Sequence, residues 1–349
     1  MFLFITTSVL FSSHDFISHT PFDWLMLFYP GTILAYLVES TYIPVKTAGI
    51  DYETLEQFAW YGKQFWQNSF LGISFIFANY GLWIYWINQA LNRRFRNPNA
   101  TWLSKVNSYG ISASFIIITT GFIFQSGRWG DIEDHIFANI IILQMFIIGF
   151  ACLLMVALSP HRQTLYDWAR YRHESTENSR SLVRDLILGE KSPSPLAIAL
   201  NVAIMFAYLI PTALIAPLDH PFGVLLALFI TLNLLIIYAV IGQRILLFKL
   251  PKPTLIATGV IGVLMFIPPL IFAILQLDPN KAVTPWLFTI FSVVASYDNL
   301  EMLSIMSVMF SLLSQWGLIA LGSYEMGKCL QKAGESETKL LLNSSGRLI

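Results

Sequence analysis

Charge is what this chain has least of. Only 12% of its 349 residues are Asp, Glu, Lys or Arg, where an ordinary soluble domain carries roughly a quarter. Positive and negative residues balance at 21 each, so no net charge points to a nucleic-acid partner. Cysteine is nearly absent. Cys152 and Cys329 are the two in the chain, which excludes a disulfide framework or a cysteine-rich metal cluster. They read as small apolar fillers. Catalytic signatures are missing as well. There is no G-x-x-x-x-G-K-[ST] loop to cradle phosphates, no H-E-x-x-H, no G-x-S-x-G and no paired C-x-x-C. The six histidines fall near the ends of apolar runs or in loops, never beside a carboxylate in mid-run. The expectation is a protein with no metal, no cofactor and no enzymatic activity of its own.

What fills the chain instead is apolar surface. Hydrophobic residues make up 55%, aromatic residues 15%, and mean hydropathy is +0.61. Eight runs are long enough to cross a bilayer: 23–40, 69–90, 109–125, 135–158, 196–216, 222–242, 254–275 and 302–324. A spanning helix needs roughly 17–25 apolar residues, because every backbone polar group in lipid must be satisfied within its own helix. The fold class expected is an all-α, polytopic membrane bundle of about eight spans. The N-terminal stretch MFLFITTSVLFSS (residues 1–13) is too short to cross and reads as an interfacial segment, with cleavage as the lesser alternative.

Basic residues sort onto alternate gaps. Arg93, Arg94, Arg96 and Lys105 follow the second run. Arg162, Arg170, Arg172, Arg180, Arg184 and Lys191 follow the fourth. Arg244, Lys249 and Lys252 follow the sixth, and Lys328, Lys332, Lys339 and Arg347 lie in the tail. The opposite gaps hold only Lys46, Lys63, Arg128 and Lys281. By the positive-inside rule the first group, and both termini with it, face the cytoplasm. A ninth apolar stretch, 283–296, would reverse the tail if it crossed. It reads as a re-entrant or interfacial helix on the outer side. Leu55, Phe58, Ala59, Gly62, Phe65 and Trp66 recur at helical spacing within 41–67 and suggest an amphipathic helix in the outer interface. The organisation expected is an interfacial segment at 1–22, a four-helix half at 23–158, a cytoplasmic helical loop at 159–195, a second half at 196–324 and a cytoplasmic tail at 325–349.

Two sets of residues are functional candidates. The basic loops offer Arg93, Arg94, Arg96, Arg170, Arg172 and Arg184, with Trp168 as an aromatic anchor, for docking a soluble partner. The plainer reading of the same charges is orientation and contact with membrane lipid headgroups. Asp298 and Glu301, between the re-entrant stretch and the last span, could face an outer vestibule; helix capping is the alternative for Asp298. Asn79, Asn233 and Gln315 within the spans could line a substrate path or simply tie helices together.

The stretches NRRFRNPNATWLSKVNSY (92–109), SPHRQTLYDWARYRH (159–173) and DLILGEKSP (185–193), with the tail LGSYEMGKCLQKAGESETKLLL, resemble a family of cyanobacterial multi-pass proteins similar to ABC-2-type exporter permeases. The resemblance implies a transport subunit in the cytoplasmic or thylakoid membrane, worked by a separate ATP-binding cassette ATPase, with a homodimer as one option. Permeases of that type typically have six spans rather than eight, and they contribute no catalytic residues. A non-catalytic scaffold or assembly factor, holding a soluble or photosynthetic partner through the basic loops, is the alternative.

Overall fold

The computed structural model describes residues 59–61, 63–64, 69–123, 132–174, 182–215, 221–277, 283–293 and 305–345. Among them, seven helices are long and apolar enough to cross a membrane. The expected first span (23–40), the N-terminal segment, Asp298 and Glu301 lie outside the described residues. In chain order the elements are β1 (Ala59–Trp60), β2 (Lys63–Gln64), α1 (Ser69–Arg96), α2 (Lys105–Ile123), α3 (Ile132–Leu158), α4 (Arg162–Glu174), α5 (Leu182–Leu188), α6 (Pro195–Ile215), α7 (Pro221–Leu247), α8 (Pro253–Ile274), α9 (Val283–Trp286) and α10 (Ile305–Ser345). Large apolar side chains stand exposed along the long helices, among them Phe70, Phe77, Phe266, Leu270 and Phe310. Water would not tolerate so much contiguous apolar surface, whereas lipid solvates it. The chain is a multi-pass integral membrane protein.

Local signals set the helix boundaries. Ser104 caps α2, its hydroxyl accepting from the Asn107 amide at 3.1 Å. Proline opens α6, α7 and α8, a position where its missing N–H is not needed and its fixed φ suits the helix. The far end of α8 closes on a Schellman motif. Gln276 takes the left-handed conformation (φ 53°), and the amides of Gln276 and Leu277 return to the carbonyls of Ala273 and Phe272.

The chain divides into two compact units, residues 1–89 with 114–145, and residues 90–113 with 146–349. In the first, the described part of 41–67 corrects the amphipathic-helix expectation. Ala59–Trp60 and Lys63–Gln64 pair as two short antiparallel strands, with Ala59 opposite Gln64 and Trp60 opposite Lys63. The positive φ of Tyr61 (49°) makes the turn. The strand pair docks on α2 through Tyr61, which donates twice, its amide to the Gly121 carbonyl at 2.9 Å and its hydroxyl to the Ile117 carbonyl at 2.8 Å. Trp60 packs on Phe75, which meets Phe122. Aromatic packing against a neighbouring helix has outweighed the local periodicity.

In the second unit, α7 packs against α6, α8 and α10. The stretch 283–293 does not cross. It is the single turn α9 followed by tight turns, buried at Leu287, Thr289, Ile290, Ser292 and Val293. Ser292 donates to the Ala227 carbonyl of α7 at 3.1 Å and lies 3.2 Å from the Thr231 hydroxyl. Irregular backbone is tolerated at such a place because protein groups, not lipid, face it. The last helix continues past residue 325, where the tail is expected to begin. Helix α10 runs unbroken for 41 residues, about 60 Å at the helical rise, twice a hydrocarbon core of about 30 Å.

Candidate functional site

The basic segments converge at one end of the second unit. Helix α1 extends to Arg96, so Arg93, Arg94 and Arg96 lie in its last turn, where cations complement the negative helix end. Arg93 donates to the Thr101 carbonyl at 2.9 Å and pairs with Glu190 at 2.7 Å. Arg94 stacks over the Trp102 ring, 4.7 Å from its centroid, a cation–π arrangement. Arg96 is exposed.

Helices α4 and α5 lie in the 159–195 loop, which is helical as expected. Their junction is organised by Asp185. It accepts from the Trp168 indole at 2.6 Å and sits 3.9 Å from Arg172. Arg170 pairs with Asp167 on its own helix at 3.3 Å, and Arg184 is exposed. Trp168, Arg172 and Arg93, expected to meet a partner, therefore make contacts within the chain. The apolar residues of α5 show the converse. No residue of α5 is buried, and Leu182, Val183 and Leu188 stand 46%, 57% and 44% exposed, with Tyr171 of α4 at 66%.

Lys105 is the residue that sequence reasoning placed least well. Its place in a basic, partner-facing gap suggests a solvated charge, yet it is 2% exposed. Its ammonium group donates to the Leu186 carbonyl (2.7 Å), the Ser192 hydroxyl (2.6 Å) and the Pro193 carbonyl (2.9 Å). Three N–H donors thus meet three oxygens, satisfying the group completely. Tyr109, one turn on, donates to the Ile187 carbonyl at 2.8 Å. Together they lash the 186–193 segment to the start of α2. Gly189 closes α5, its amide on the Asp185 carbonyl at 2.7 Å; a side-chain carbon there would collide with that carbonyl. The sequence did hold one signal for Lys105. A cation at the first position of a helix opposes the dipole, so it needs another reason to be there.

Helix α10 completes the assembly. Leu165 and Ala169 of α4, Leu247 of α7 and Leu330 of α10 form one buried cluster, with Trp168 and Met326 packed on it. Arg244 of α7 pairs with Glu325 of α10, and Tyr166 reaches the Leu247 carbonyl at 3.5 Å.

The intramembrane amides have mostly structural partners. Asn79, in the first unit, donates back to the Phe75 carbonyl at 3.0 Å. Asn201 accepts from Ser112 at 2.7 Å and donates to Ser108 and Ala197, tying α6 to α2. Asn233 is buried on α7, and Gln315 is buried on α10 beside Ser311. Among the described residues no His, Cys, Asp or Glu cluster could hold a metal.

These features define a class, a polytopic helical membrane protein with a helical assembly beyond one end of its spans. For the particular protein, no protein-family model, curated protein or solved structure matches this chain.

Proposed function

We propose that this chain is the membrane-spanning, permease-like subunit of an exporter, driven by a separate ATPase that docks on α4 and α5. The observation that carries the reading is the exposed apolar set of Leu182, Val183 and Leu188 on α5 with Tyr171 on α4. It lies on helices too polar or too short to cross a bilayer. Aromatic and aliphatic groups left exposed beside arginine have the makeup of an interface core. The chain carries no phosphate-binding loop of its own, so energy for transport would come from the partner. The α4–α7–α10 cluster would pass the partner's motion to the spans as a rigid connection, because packed interfaces shift between discrete states rather than deform.

The scaffold reading has one observation in its favour. The side chains of Asn79 and Asn201 are engaged in helix bonds rather than lining a polar path. Affinity purification of the tagged full chain, followed by mass spectrometry and an ATP hydrolysis assay, separates the two. Recovery of an ATPase whose yield drops at least tenfold with Val183→Glu supports the permease. A tenfold loss corresponds to about 1.4 kcal/mol of interface energy. A stable partner without nucleotide hydrolysis supports the scaffold. An ATPase bound equally by wild type and variant removes this set as its dock.

A further inference from the structure

A cleft of about 310 Å³ opens between α3, α7, α8 and the turn after α1, near the lower bound of about 300 Å³ for small-molecule sites. Its two ends differ in chemistry. The floor and walls are apolar, with Met155, Ile261 and Phe266 among them, and Cys152 Sγ lies 3.7 Å from Met265 Sδ at the deep end. At the mouth stand Arg94, Trp102 and His161. Thr254 and Met265 both line the cleft, and the helical rise sets them about 16 Å apart along α8. That is half of a hydrocarbon core of about 30 Å, the depth of a single leaflet.

We infer that this cleft holds an anionic phospholipid from the leaflet at the basic end, with one acyl chain in the apolar channel and the phosphate on Arg94. Charge complementarity selects the headgroup. No carboxylate lines the cleft, and among the described residues none pairs with Arg94. Trp102 holds the guanidinium by its flat face; Nη1 reaches the Ala100 carbonyl at 3.4 Å, and the remaining N–H groups of the planar edge are left for a phosphate. The Trp102 wall is itself fixed. Arg93 holds the Thr101 carbonyl, and the Leu103 amide bonds the Ala157 carbonyl of α3 at 3.3 Å. The inference does not depend on a docked ATPase, so it stands or falls apart from the permease reading.

The two cysteines make the test. Cys152 lines the cleft, and Cys329 is exposed on α10. The full-length protein is placed in nanodiscs of phosphatidylcholine alone or mixed with phosphatidylglycerol, and N-ethylmaleimide alkylation is followed at each cysteine by mass spectrometry. Phosphatidylglycerol should slow alkylation of Cys152 severalfold and leave Cys329 unchanged. Arg94→Gln should demand about tenfold more anionic lipid for the same protection, the usual weight of a charge-assisted bond. Equal protection by the two lipids, or an unaltered response in Arg94→Gln, overturns the headgroup assignment. A second variant guards against misfolding. Gly262 lines the cleft, and a Cβ there meets nothing within 4 Å, so Gly262→Leu adds bulk to the channel from an open position on the backbone. It should lose the phospholipid retained by wild type in native mass spectrometry at an unchanged melting temperature. Full retention by Gly262→Leu overturns the acyl-chain assignment.

Discussion

Helices α7 and α8 are neighbours of nearly the same apolar composition, yet they live in different solvents. Two-thirds of the most apolar stretch of α7 is buried by protein, 67% against 17% for α8. Leu228, Leu235 and Val224 of α7 are fully enclosed, whereas Leu255, Phe266, Leu270 and Ile274 of α8 are at least 58% exposed. Lipid tails are as apolar as leucine, so hydropathy alone cannot tell a buried helix from a lipid-facing one. The polar residues can. Helix α7 carries Thr231, Asn233 and Gln243, all buried. Gln243 accepts from the Ser194 amide and hydroxyl at the start of α6. The polar side chains of α8 are Thr254 and Thr258, and Thr258 bonds only the Thr254 carbonyl of its own helix.

The largest test of this contrast is a matched truncation. Leu235→Ala, at a fully buried site, should cost about 2–4 kcal/mol. Leu270→Ala, at 58% exposure, should stay within about 0.5 kcal/mol. Unfolding of the purified protein in a fixed detergent measures both, and equal losses would erase the distinction. Next come the glycines. A Cβ on Gly322 of α10 would stand 2.7 Å from Val240 of α7, whereas one on Gly259 of α8 meets nothing. Gly322→Ala should destabilise by about 1–3 kcal/mol through overpacking; Gly259→Ala should be neutral or gain up to about 1 kcal/mol from helix propensity. The reverse ranking would mean that α10 does not pack closely on α7. Gln243→Leu strands the Ser194 donors and should cost about 1–2 kcal/mol, while Thr258→Val should change the melting temperature little. The smallest effect belongs to Arg244→Gln. Its pair with Glu325 is more than a third exposed on both sides, so its loss should cost under about 1 kcal/mol and depend on salt. A larger, salt-independent loss would show that the α7–α10 junction relies on charge rather than on Leu247 and Leu330.

Much of the site's location was legible for a related reason. Basic gaps predicted to share one side do meet: Arg93 with Glu190, Lys105 with Ser192, and Arg244 with Glu325. Charge sorting reports which ends of the helices share an aqueous face, and contacts within that face follow. It does not report which charges are already satisfied. Trp168 and Arg172 converge on Asp185, and Asp185 had no marker setting it apart from any other loop carboxylate. The apolar residues of α5 are plain in the sequence, but apolar character reads equally well as buried or bare. The strand pair of 59–60 and 63–64 escapes a reading of the sequence because the apolar residues around it also fit a helical period, and contacts with Phe75 and Gly121 of other segments decide between the two.

Composition and charge order by themselves determined that this chain crosses a membrane several times, where most of its helices begin and which of its ends carry positive charge. Those outcomes depend on transfer of each segment between water and lipid, an energy that adds up residue by residue along the chain. Tertiary structure alone decided which apolar helix became the centre of its unit, that Lys105 is enclosed rather than hydrated, and that a leaflet-deep cleft lies beside Arg94. Each of these depends on atoms distant in sequence meeting at bonding distance, and no local pattern carries that information.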